Sequence, residues 1–425
     1  MVDAPWRSGA RAPAGPSFAP RPEPASEADF PCGPANEPEE VGLALSGGGY
    51  RATLFHLGAL IRLNQLGWLP RIDRVSTVSG GSLMAGILAR AWPALAWDEA
   101  GGATNFRDLV TLPTLRFTGR RIDAFVIAIG LIPLLNPADV MAWLLDRALT
   151  DRLRLDELPD RPRFVINAAH LGSGVSWRFS KTYMGDSRLG VVCRPMVPLA
   201  RAIAASAAFP PFVSPLVLDL RRSKLEWVRG ADLFDDARYR KLRKRVLLLD
   251  GGAYDNLGIE AVEGRCRIVL ASDAGGNLQV DARRRRYGFW WPQVRRTLDM
   301  AVEVGRAQRR RALVDRAQAA AALRRAGKAD EKLVTEHVAL WRTSLQLRSN
   351  PKLPPGWTIA EGWPEYLSTL STRMWPMAEA DRRHLVNWGY LTSDAILRTY
   401  VPALEQRPAP TELPFGDDDF ARPPG

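Results

Sequence analysis

A serine at position 79 stands where an apolar strand pattern changes into an apolar helix pattern. In "VSTVSGGSLMAG", residues 75–86, β-branched side chains precede the serine, and two glycines and apolar residues at helical spacing follow it. A sharp strand-to-helix turn holds such a hydroxyl out of the fold, with a helix N-terminus behind it. That position suits a nucleophile, although a serine before two glycines is also a common turn or helix cap. Because serine attacks only when a base removes its proton, a partner is expected elsewhere in the chain.

A loop of three glycines comes earlier, in "LALSGGGYR" at 43–51, between a short apolar strand and a helix. Backbone N–H groups of such a loop can converge on a nucleotide phosphate, a dinucleotide pyrophosphate or a transient oxyanion. The lysine of the nucleotide P-loop is missing. Gly47, Gly49 and Ala52 formally fit the dinucleotide fingerprint, but the next strand ends at Ser79 and not at an acid that would hold a ribose. An oxyanion hole serving Ser79 is the interpretation that uses both loops.

A candidate base is Asp250, which ends the apolar run of "RVLLLDGGAYDNLG" before two glycines. In a parallel sheet the carboxyl ends of the strands meet at one edge, so Gly49, Ser79 and Asp250 are expected to converge. The order Ser79, Asp250 and then His337 or His384 would instead match an α/β-hydrolase triad. That fold places its nucleophile after several strands, whereas Ser79 follows only one ordered strand and a glycine loop. The carboxylate is therefore the simpler base.

The elements that position these residues alternate between strand and helix. This pattern predicts an α/β fold of three layers, with a central mostly parallel sheet flanked by helices and a helical C-terminal addition. Composition from 292 to 347 is strongly helical, with a break near Gly327. Strands are predicted at 41–46, 75–79, 163–171, 177–184, 245–252 and 266–276.

Four regions follow from composition. Residues 1–38 are rich in proline and alanine and are predicted to be a disordered extension. Residues 39–280 are the predicted α/β catalytic domain, and 281–404 are predicted to be helical and packed on it. Residues 405–425 are predicted to be a disordered tail.

The three cysteines, Cys32, Cys193 and Cys266, are far apart and form no C-x-x-C pair. Their odd number and wide spacing predict reduced thiols rather than a disulfide or zinc framework. The N-terminal residues lack the apolar core of a signal peptide, and the longest apolar run, 124–135, is too short to span a bilayer. We therefore expect a cytoplasmic protein, with peripheral attachment to a membrane as an option.

The formal net charge of +12 is concentrated at 238–245 and 283–311. No zinc-finger, RRM or KH signature accompanies this charge, so nucleic acid is not an expected partner. We hypothesise that 124–135 lies near an acyl entrance and that the arginines of 283–311 face anionic head groups. The alternative is a solvated or packed helix face, with Trp290 and Trp291 inside the protein.

Taken together, these motifs resemble the patatin-like phospholipase family, and especially its bacterial members. The family pairs a G-G-G-x-R oxyanion loop with a G-x-S-x-G elbow and a D-G-[GA] loop, and an A-S-x-A-x-P segment lies between the last two. The chain carries similar segments in the same order at 47–51, 77–81, 250–252 and, for the A-S-x-A-x-P segment, 202–215. The resemblance covers about 41–276, with a weaker echo at 384–398. The chain departs from the family pattern at Thr77, which stands where the G-x-S-x-G elbow has its first glycine. The threonine side chain must fit where strand and helix approach closely.

The resemblance implies a phospholipase A-type lipid acyl hydrolase, with Ser79 as nucleophile and Asp250 as base in a Ser–Asp dyad without histidine. It implies phospholipid or another acyl lipid as substrate and no metal or organic cofactor. An enzyme for another acyl donor, such as a thioester, and a non-catalytic lipid-binding scaffold remain alternatives; a scaffold has no need of Ser79 or Asp250. The implied oxyanion loop and its brace comprise Gly47, Gly48, Gly49, Arg51 and Gly80.

Overall fold

The structure is a computed structural model. It describes residues 30–32, 39–130, 132, 136–211, 213–276, 278, 290–328, 334–348, 350–354, 356–416 and 420–424. The predicted disordered extension, 1–38, lies outside the described residues except for 30–32.

One ten-stranded sheet forms the centre of the protein. Its strands are β1 (Glu39–Leu45), β2 (Arg74–Val78), β3 (Arg163–His170), β4 (Ser176–Phe179), β5 (Tyr183–Asp186), β6 (Gly190–Cys193), β7 (Leu216–Asp219), β8 (Arg245–Asp250), β9 (Cys266–Asp273) and β10 (His337–Arg342). The order is β10-β9-β1-β2-β3-β4-β5-β6, with β8 on β3 and β7 on β8. The first five strands in that order are parallel, and the others are added antiparallel.

Helices flank this sheet, and the predicted three-layer α/β class is confirmed. The helices are α1 (Gly49–Gln65), α2 (Gly80–Ala91), α3 (Leu112–Thr118), α4 (Ile122–Gly130), α5 (Pro137–Leu145), α6 (Leu199–Ser206), α7 (Arg240–Lys244), α8 (Gly252–Asp255), α9 (Trp290–Arg325), α10 (Trp363–Thr369) and α11 (Glu379–Tyr400). Both α1 and α2 are almost entirely buried, as expected for helices packed between the sheet and further helices.

The C-terminal helix α11 packs closely against α1. A Cβ on Gly58 would lie 1.9 Å from the Val386 carbonyl oxygen, and one on Gly389 would lie 1.9 Å from the Phe55 carbonyl oxygen. The two backbones therefore approach as only glycine permits. A buried ion pair between Arg62 and Asp394, 2.7 Å apart, links the same helices.

Two predicted elements are wrong in type or extent. Residues 337–342 were expected to be helical but form β10, because the alanine- and arginine-rich composition belongs to α9, which ends just before Gly327. The predicted strand at 177–184 is a hairpin of β4 and β5, because the chain reverses between Phe179 and Tyr183.

The cysteine prediction is wrong for two of the three residues. Cys32 and Cys193 form a disulfide across 161 residues of sequence, and only Cys266 is free and buried. The sheet places the end of β6 beside residues 30–32, where Phe30 packs edge-on against Tyr183 at 4.9 Å between ring centroids. Sequence spacing could not reveal this pair, because the contact depends on the antiparallel extension of the sheet.

The predicted disordered tail, 405–425, is also wrong where the structure describes it. Phe420 is buried, with its ring centroid 4.8 Å from that of Trp363 and 5.5 Å from that of Trp388. The Asn387 side chain donates to the Phe415 carbonyl at 2.7 Å. The aromatic residues of the tail thus complete the packing around α10 and α11.

None of the helices in the described ranges combines the length and the apolar character needed to cross a bilayer. Part of the apolar run 124–135 lies in α4, where Val126 is buried and Phe125 is exposed. Residues 131 and 133–135 lie outside the described residues.

Candidate active site

Ser79 occupies the tight turn between β2 and α2. Its backbone adopts φ 50° and ψ −114°, and a left-handed φ is uncommon for any residue other than glycine. A Cβ on Gly80 would lie 2.3 Å from the Gly49 carbonyl oxygen, and one on Gly81 would lie 2.3 Å from the Leu45 carbonyl oxygen. Both positions after the serine therefore need glycine, and the turn leaves Ser79 partly exposed.

Asp250 reaches Ser79 from a strand that runs in the opposite direction. Antiparallel β8 places Asp250 opposite Ala168 of β3, and parallel β2 places Val78 opposite Asn167 on the same edge of β3. The carboxyl ends of β2 and β8 thus meet head to head. The predicted convergence of the two residues is present, but the prediction that Asp250 ends a parallel strand is wrong. An apolar run carries no information about strand direction.

The carboxylate of Asp250 is buried and accepts two hydrogen bonds. The Gly252 N–H donates to Oδ1 at 2.7 Å, and the Ser79 hydroxyl donates the other. Burial raises the pKa of Asp250 to about 6, and these two hydrogen bonds oppose that rise. A serine hydroxyl is thus in contact with a carboxylate whose pKa lies close to neutrality, as general-base catalysis requires.

The glycine loop between β1 and α1 lies beside Ser79. A Cβ on Gly47 would lie 3.3 Å from the Ser79 Cβ. Gly48 and Gly49 have φ of 139° and 55°, and successive N–H groups in such a turn form a concave site for an anion. The Gly47 N–H is occupied by the Asn256 carbonyl at 3.0 Å. Within the described chain, no acceptor is found for the N–H groups of Gly48, Gly49 or Gly80.

Arg51 lies in the first turn of α1 and is buried. Its guanidinium donates to the carbonyls of Ala274, Ser368 and Leu370 at 3.1, 2.8 and 2.9 Å. Burial and the nearby Arg306 cation lower the pKa of Arg51 to about 10. The predicted bracing residue thus connects the glycine loop to the end of β9 and to the segment after α10, and it donates to carbonyl groups only.

A chain of hydroxyl groups supports the turn from below. Ser206 accepts the Ser79 N–H at 2.9 Å and donates to the Asn167 carbonyl at 2.6 Å. Its proton is therefore committed, so Ser82, 2.9 Å away, must donate to Ser206. By the same reasoning Thr77 donates to Ser82 at 2.9 Å. The threonine that replaces the first elbow glycine is accommodated because its hydroxyl begins this chain.

Asn256 is a site residue that the sequence analysis missed. Its carbonyl accepts the Gly47 N–H, and its side-chain oxygen would lie 2.3 Å from a Cβ on Gly47 and 2.7 Å from one on Gly252. Asn256 therefore fills the space between the glycine loop and the Asp250 loop. The available signal was its place in "DNLG", a polar turn that begins three residues after the last glycine of the D-G-G motif.

His337 and His384, the histidines considered for a triad, have other surroundings. His337 begins β10, at the amino ends of the parallel strands, whereas Ser79 follows a carboxyl end. His384 packs against the ring of Trp363 at 4.7 Å between centroids. His56 is buried, and burial lowers its pKa to about 4. His170 contacts Asp186 and Ser173 at 2.6 and 2.8 Å. Among the described residues, no histidine is hydrogen-bonded to Ser79 or Asp250, so the predicted alternative of a triad with His337 or His384 has no support in the structure.

We expect alanine substitution of His337 or His384 to leave hydrolytic activity within severalfold of the wild type, because neither ring reaches the site. Initial rates on a soluble ester, with circular dichroism to verify the fold, measure this. A loss of several hundredfold in a folded variant would instead support the triad.

The arginine-rich segment is only partly available to a surface. Arg306 and Arg310 lie 3.4 and 2.7 Å from the carboxylate of Asp273, and Arg309 lies 3.5 Å from that of Glu260. The buried carboxylate of Asp273 neutralises Arg306 and Arg310, and the partly exposed carboxylate of Glu260 neutralises Arg309. These three arginines thus have partners within the protein, and contact of the segment with head groups stays a prediction. Residues 283–289 lie outside the described residues. Trp290 is 62% exposed, so the alternative of an internal Trp290 is wrong.

The fold and the site define an α/β protein with a serine and a buried carboxylate held together beside a glycine-rich loop. A family model described as patatin-like phospholipase matches residues 43–262, slightly more than half of the chain. The chain belongs to the patatin-like phospholipase family, which confirms the resemblance drawn from its motifs. No curated protein matches the sequence significantly.

Similar solved structures include phospholipases. Human GIVD cytosolic phospholipase A2 is 13% identical, with 60% of this chain and 50% of that chain covered and a TM-score of 0.38. The same human enzyme in complex with methyl gamma-linolenyl fluorophosphonate is 15% identical. The match covers 88% of this chain and 60% of that chain, with a TM-score of 0.42. VipD from Legionella pneumophila is 15% identical. The match covers 85% of this chain and 67% of that chain, with a TM-score of 0.37. The matched regions span about half to two thirds of those chains.

Proposed function

We propose that the protein is a lipid acyl hydrolase of the phospholipase A type, with Ser79 as nucleophile and Asp250 as base. The observation that carries this proposal is the hydrogen bond from the Ser79 hydroxyl to the buried Asp250 carboxylate, at a turn whose backbone is held in an uncommon conformation. Membership of the patatin-like phospholipase family supports a lipid ester as substrate.

In the first half-reaction the Ser79 oxygen attacks the ester carbonyl carbon while its proton passes to Asp250. The tetrahedral intermediate collapses, the acyl group stays on Ser79, and the leaving alcohol takes the proton from Asp250. In the second half-reaction a water molecule loses a proton to Asp250 and attacks the acyl-serine. Collapse releases the fatty acid and returns the proton to Ser79.

The negative charge that develops on the carbonyl oxygen needs donors that are in place before the reaction. The N–H groups of Gly48, Gly49 and Gly80 are without acceptors in the described chain and border the serine, so we assign the oxyanion hole to them. Gly47 supports the loop through Asn256 and does not donate to the oxyanion.

The direct test is incubation of the purified protein with a mixed lipid extract, followed by mass spectrometry of the products. We expect free fatty acids together with lysophospholipids. Release from acyl thioesters alone would identify a thioesterase, and lipid binding without any release would identify a scaffold.

A lipid surface is the second part of the proposal. The segment after α10 passes over the glycine loop, where a Cβ on Gly49 would lie 1.6 Å from the Thr372 carbonyl oxygen. Three residues further on, Trp375 is 41% exposed, and the Arg121 guanidinium lies 4.9 Å from its ring centroid. Phe125, one helical turn after Arg121, is 47% exposed. An exposed aromatic pair beside a cation, at the rim of the site, suits an anionic lipid interface.

We expect the protein to sediment with vesicles containing phosphatidylglycerol, and less so at high salt because ions screen Arg121. Trp375→Ala should weaken this binding about tenfold, since a large apolar side chain no longer leaves water. Trp227→Ala is the matched control, because Trp227 is also exposed but adjoins β6 at the far edge of the sheet. Equal binding of both variants, or equal binding to neutral and anionic vesicles, contradicts this surface.

A further inference from the structure

A cleft of about 100 Å³ separates the Asp250 loop from α9. Gly252 and Asn256 form its wall on the side of the catalytic residues. Gly252 also donates to the Asp250 carboxylate, and Asn256 adjoins Gly47. The cleft therefore adjoins the site across Gly252 and Asn256, and its wall on that side is polar.

The opposite wall of the cleft is one face of α9. Leu298, Ala301, Val302 and Gly305 line it at the i, i+3, i+4 and i+7 spacing of a single helix face, and Arg306 and Arg309 line it one turn further on. Beyond the cleft, towards the start of α9, Trp290 and Val294 continue the face of Leu298 two turns and one turn earlier, and both side chains are exposed. Met300 and Val304 are also exposed but lie on a different face of the helix.

Ion pairs hold α9 at its middle. Arg306 and Arg310 contact Asp273, and after them Leu313 and Ala317 are buried. Before Arg306, no residue of α9 whose side chain the structure describes is fully buried. The apolar residues of this half thus do not serve the core of the protein.

We propose that this face of α9 binds the acyl chain of the lipid, and that Gly305 determines how long a chain can bind. This inference rests on the proposed function. The cleft is smaller than the roughly 300 Å³ of ordinary ligand pockets, so it holds only the part of the chain next to the ester. From Gly305 back to Trp290 the helix is about 22 Å long, which exceeds the ~15 Å of hydrocarbon in one leaflet. The remaining methylenes have room along this exposed stripe.

Substitution of Gly305 by a larger residue would narrow the cleft. A Cβ on Gly305 meets no atom within 4 Å, and its helical backbone accepts any side chain. Replacement of glycine within a helix also favours folding. Gly305→Ala therefore places one carbon in the cleft without displacing protein atoms, and Gly305→Leu places an isobutyl group there.

The test compares hydrolysis of p-nitrophenyl butyrate, octanoate and palmitate by the wild type, Gly305→Ala and Gly305→Leu. Because burial of each methylene contributes to binding, Gly305→Leu should lower kcat/KM on palmitate about tenfold or more and leave butyrate within about twofold. Gly305→Ala should have a smaller effect of the same kind. Gln318→Leu, exposed more than three turns further along α9, adds the same side chain away from the cleft and should match the wild type.

Equilibrium binding of palmitate to the same variants needs no catalysis and separates the two proposals. If the wild type hydrolyses none of the esters but binds palmitate, and Gly305→Leu weakens that binding, the proposed function fails and the acyl site stands. If the wild type is active and Gly305→Leu keeps both its chain-length profile and its palmitate affinity, the acyl site is wrong. If the wild type neither hydrolyses esters nor binds palmitate, both are wrong.

Discussion

Ser79→Ala should abolish labelling by a fluorophosphonate probe and lower ester hydrolysis by about 10⁴-fold or more, the scale of loss when a catalytic nucleophile is removed. The reason is that Ser79 combines a partly exposed hydroxyl, a hydrogen bond to a buried carboxylate and the neighbouring N–H groups of Gly48, Gly49 and Gly80. Labelling on a gel and initial rates measure the two effects.

Ser371→Ala is the matched control for this experiment. Ser371 is exposed and adjoins Thr372, which covers the glycine loop, so it shares the neighbourhood without the carboxylate. We expect it to label like the wild type. Labelling that persists in a folded Ser79→Ala variant would remove Ser79 as the nucleophile.

Asp250→Asn should lower turnover about 100-fold or more, the usual contribution of a general base. Asparagine can accept the hydrogen bonds of the Gly252 N–H and the Ser79 hydroxyl, but it cannot take up a proton. Steady-state kinetics measure the loss. Asp255→Asn, at a buried carboxyl in the same loop that binds the N–H groups of Leu257 and Glu260, should lose less than about tenfold. Equal losses in both variants would indicate a merely structural role for Asp250.

The dependence on pH follows from the same carboxyl. Its pKa of about 6 means that the base is charged above that pH and protonated below it. We expect kcat/KM on an uncharged ester to fall as the pH drops through about 6 in the wild type. The residual activity of Asp250→Asn should lack that step, and a step that persists there would assign the titration to another group.

Stability should change in the opposite sense. Because burial raises the folded pKa of Asp250 above its ordinary 3.8, its favourable contribution is present below that value and is lost as the pH rises through about 6. Asp250→Asn should therefore raise Tm at pH 8 relative to the wild type, and the gain should disappear near pH 4. A variant that is inactive yet more stable cannot have lost activity through unfolding.

Sequence reasoning could predict the parts of the site that depend on short motifs of neighbouring residues. Three glycines after a strand, and a serine before two glycines, are compatible with few backbone conformations. A Cβ at position 80 would collide with Gly49, and one at position 81 would collide with Leu45. The role of Arg51 as the brace of the loop was implied by the resemblance to the family's G-G-G-x-R segment. The class of fold followed from the alternation of strand and helix.

The parts that could not be predicted depend on contacts between distant segments. The direction of β8 is set by its pairing with β3 and β7, and the Cys32–Cys193 disulfide by the position of β6. The helical composition of 292–347 led to a helix being predicted where β10 forms. The basic composition of the arginine-rich segment gave no sign of the distant carboxylate that neutralises Arg306 and Arg310. In each case a single segment is compatible with two environments, and only the partner decides between them.

The hydroxyl chain beneath Ser79 has a consequence for how the site responds to acid. From Thr77 through Ser82 and Ser206 to the Asn167 carbonyl, every link is a neutral donor and acceptor pair with one permitted proton order. None of these groups gains or loses a proton across the range in which proteins stay folded. The hydrogen bonds that position Ser79 from this side therefore do not change with pH. Acid protonates the base, Asp250, while the nucleophile remains in position.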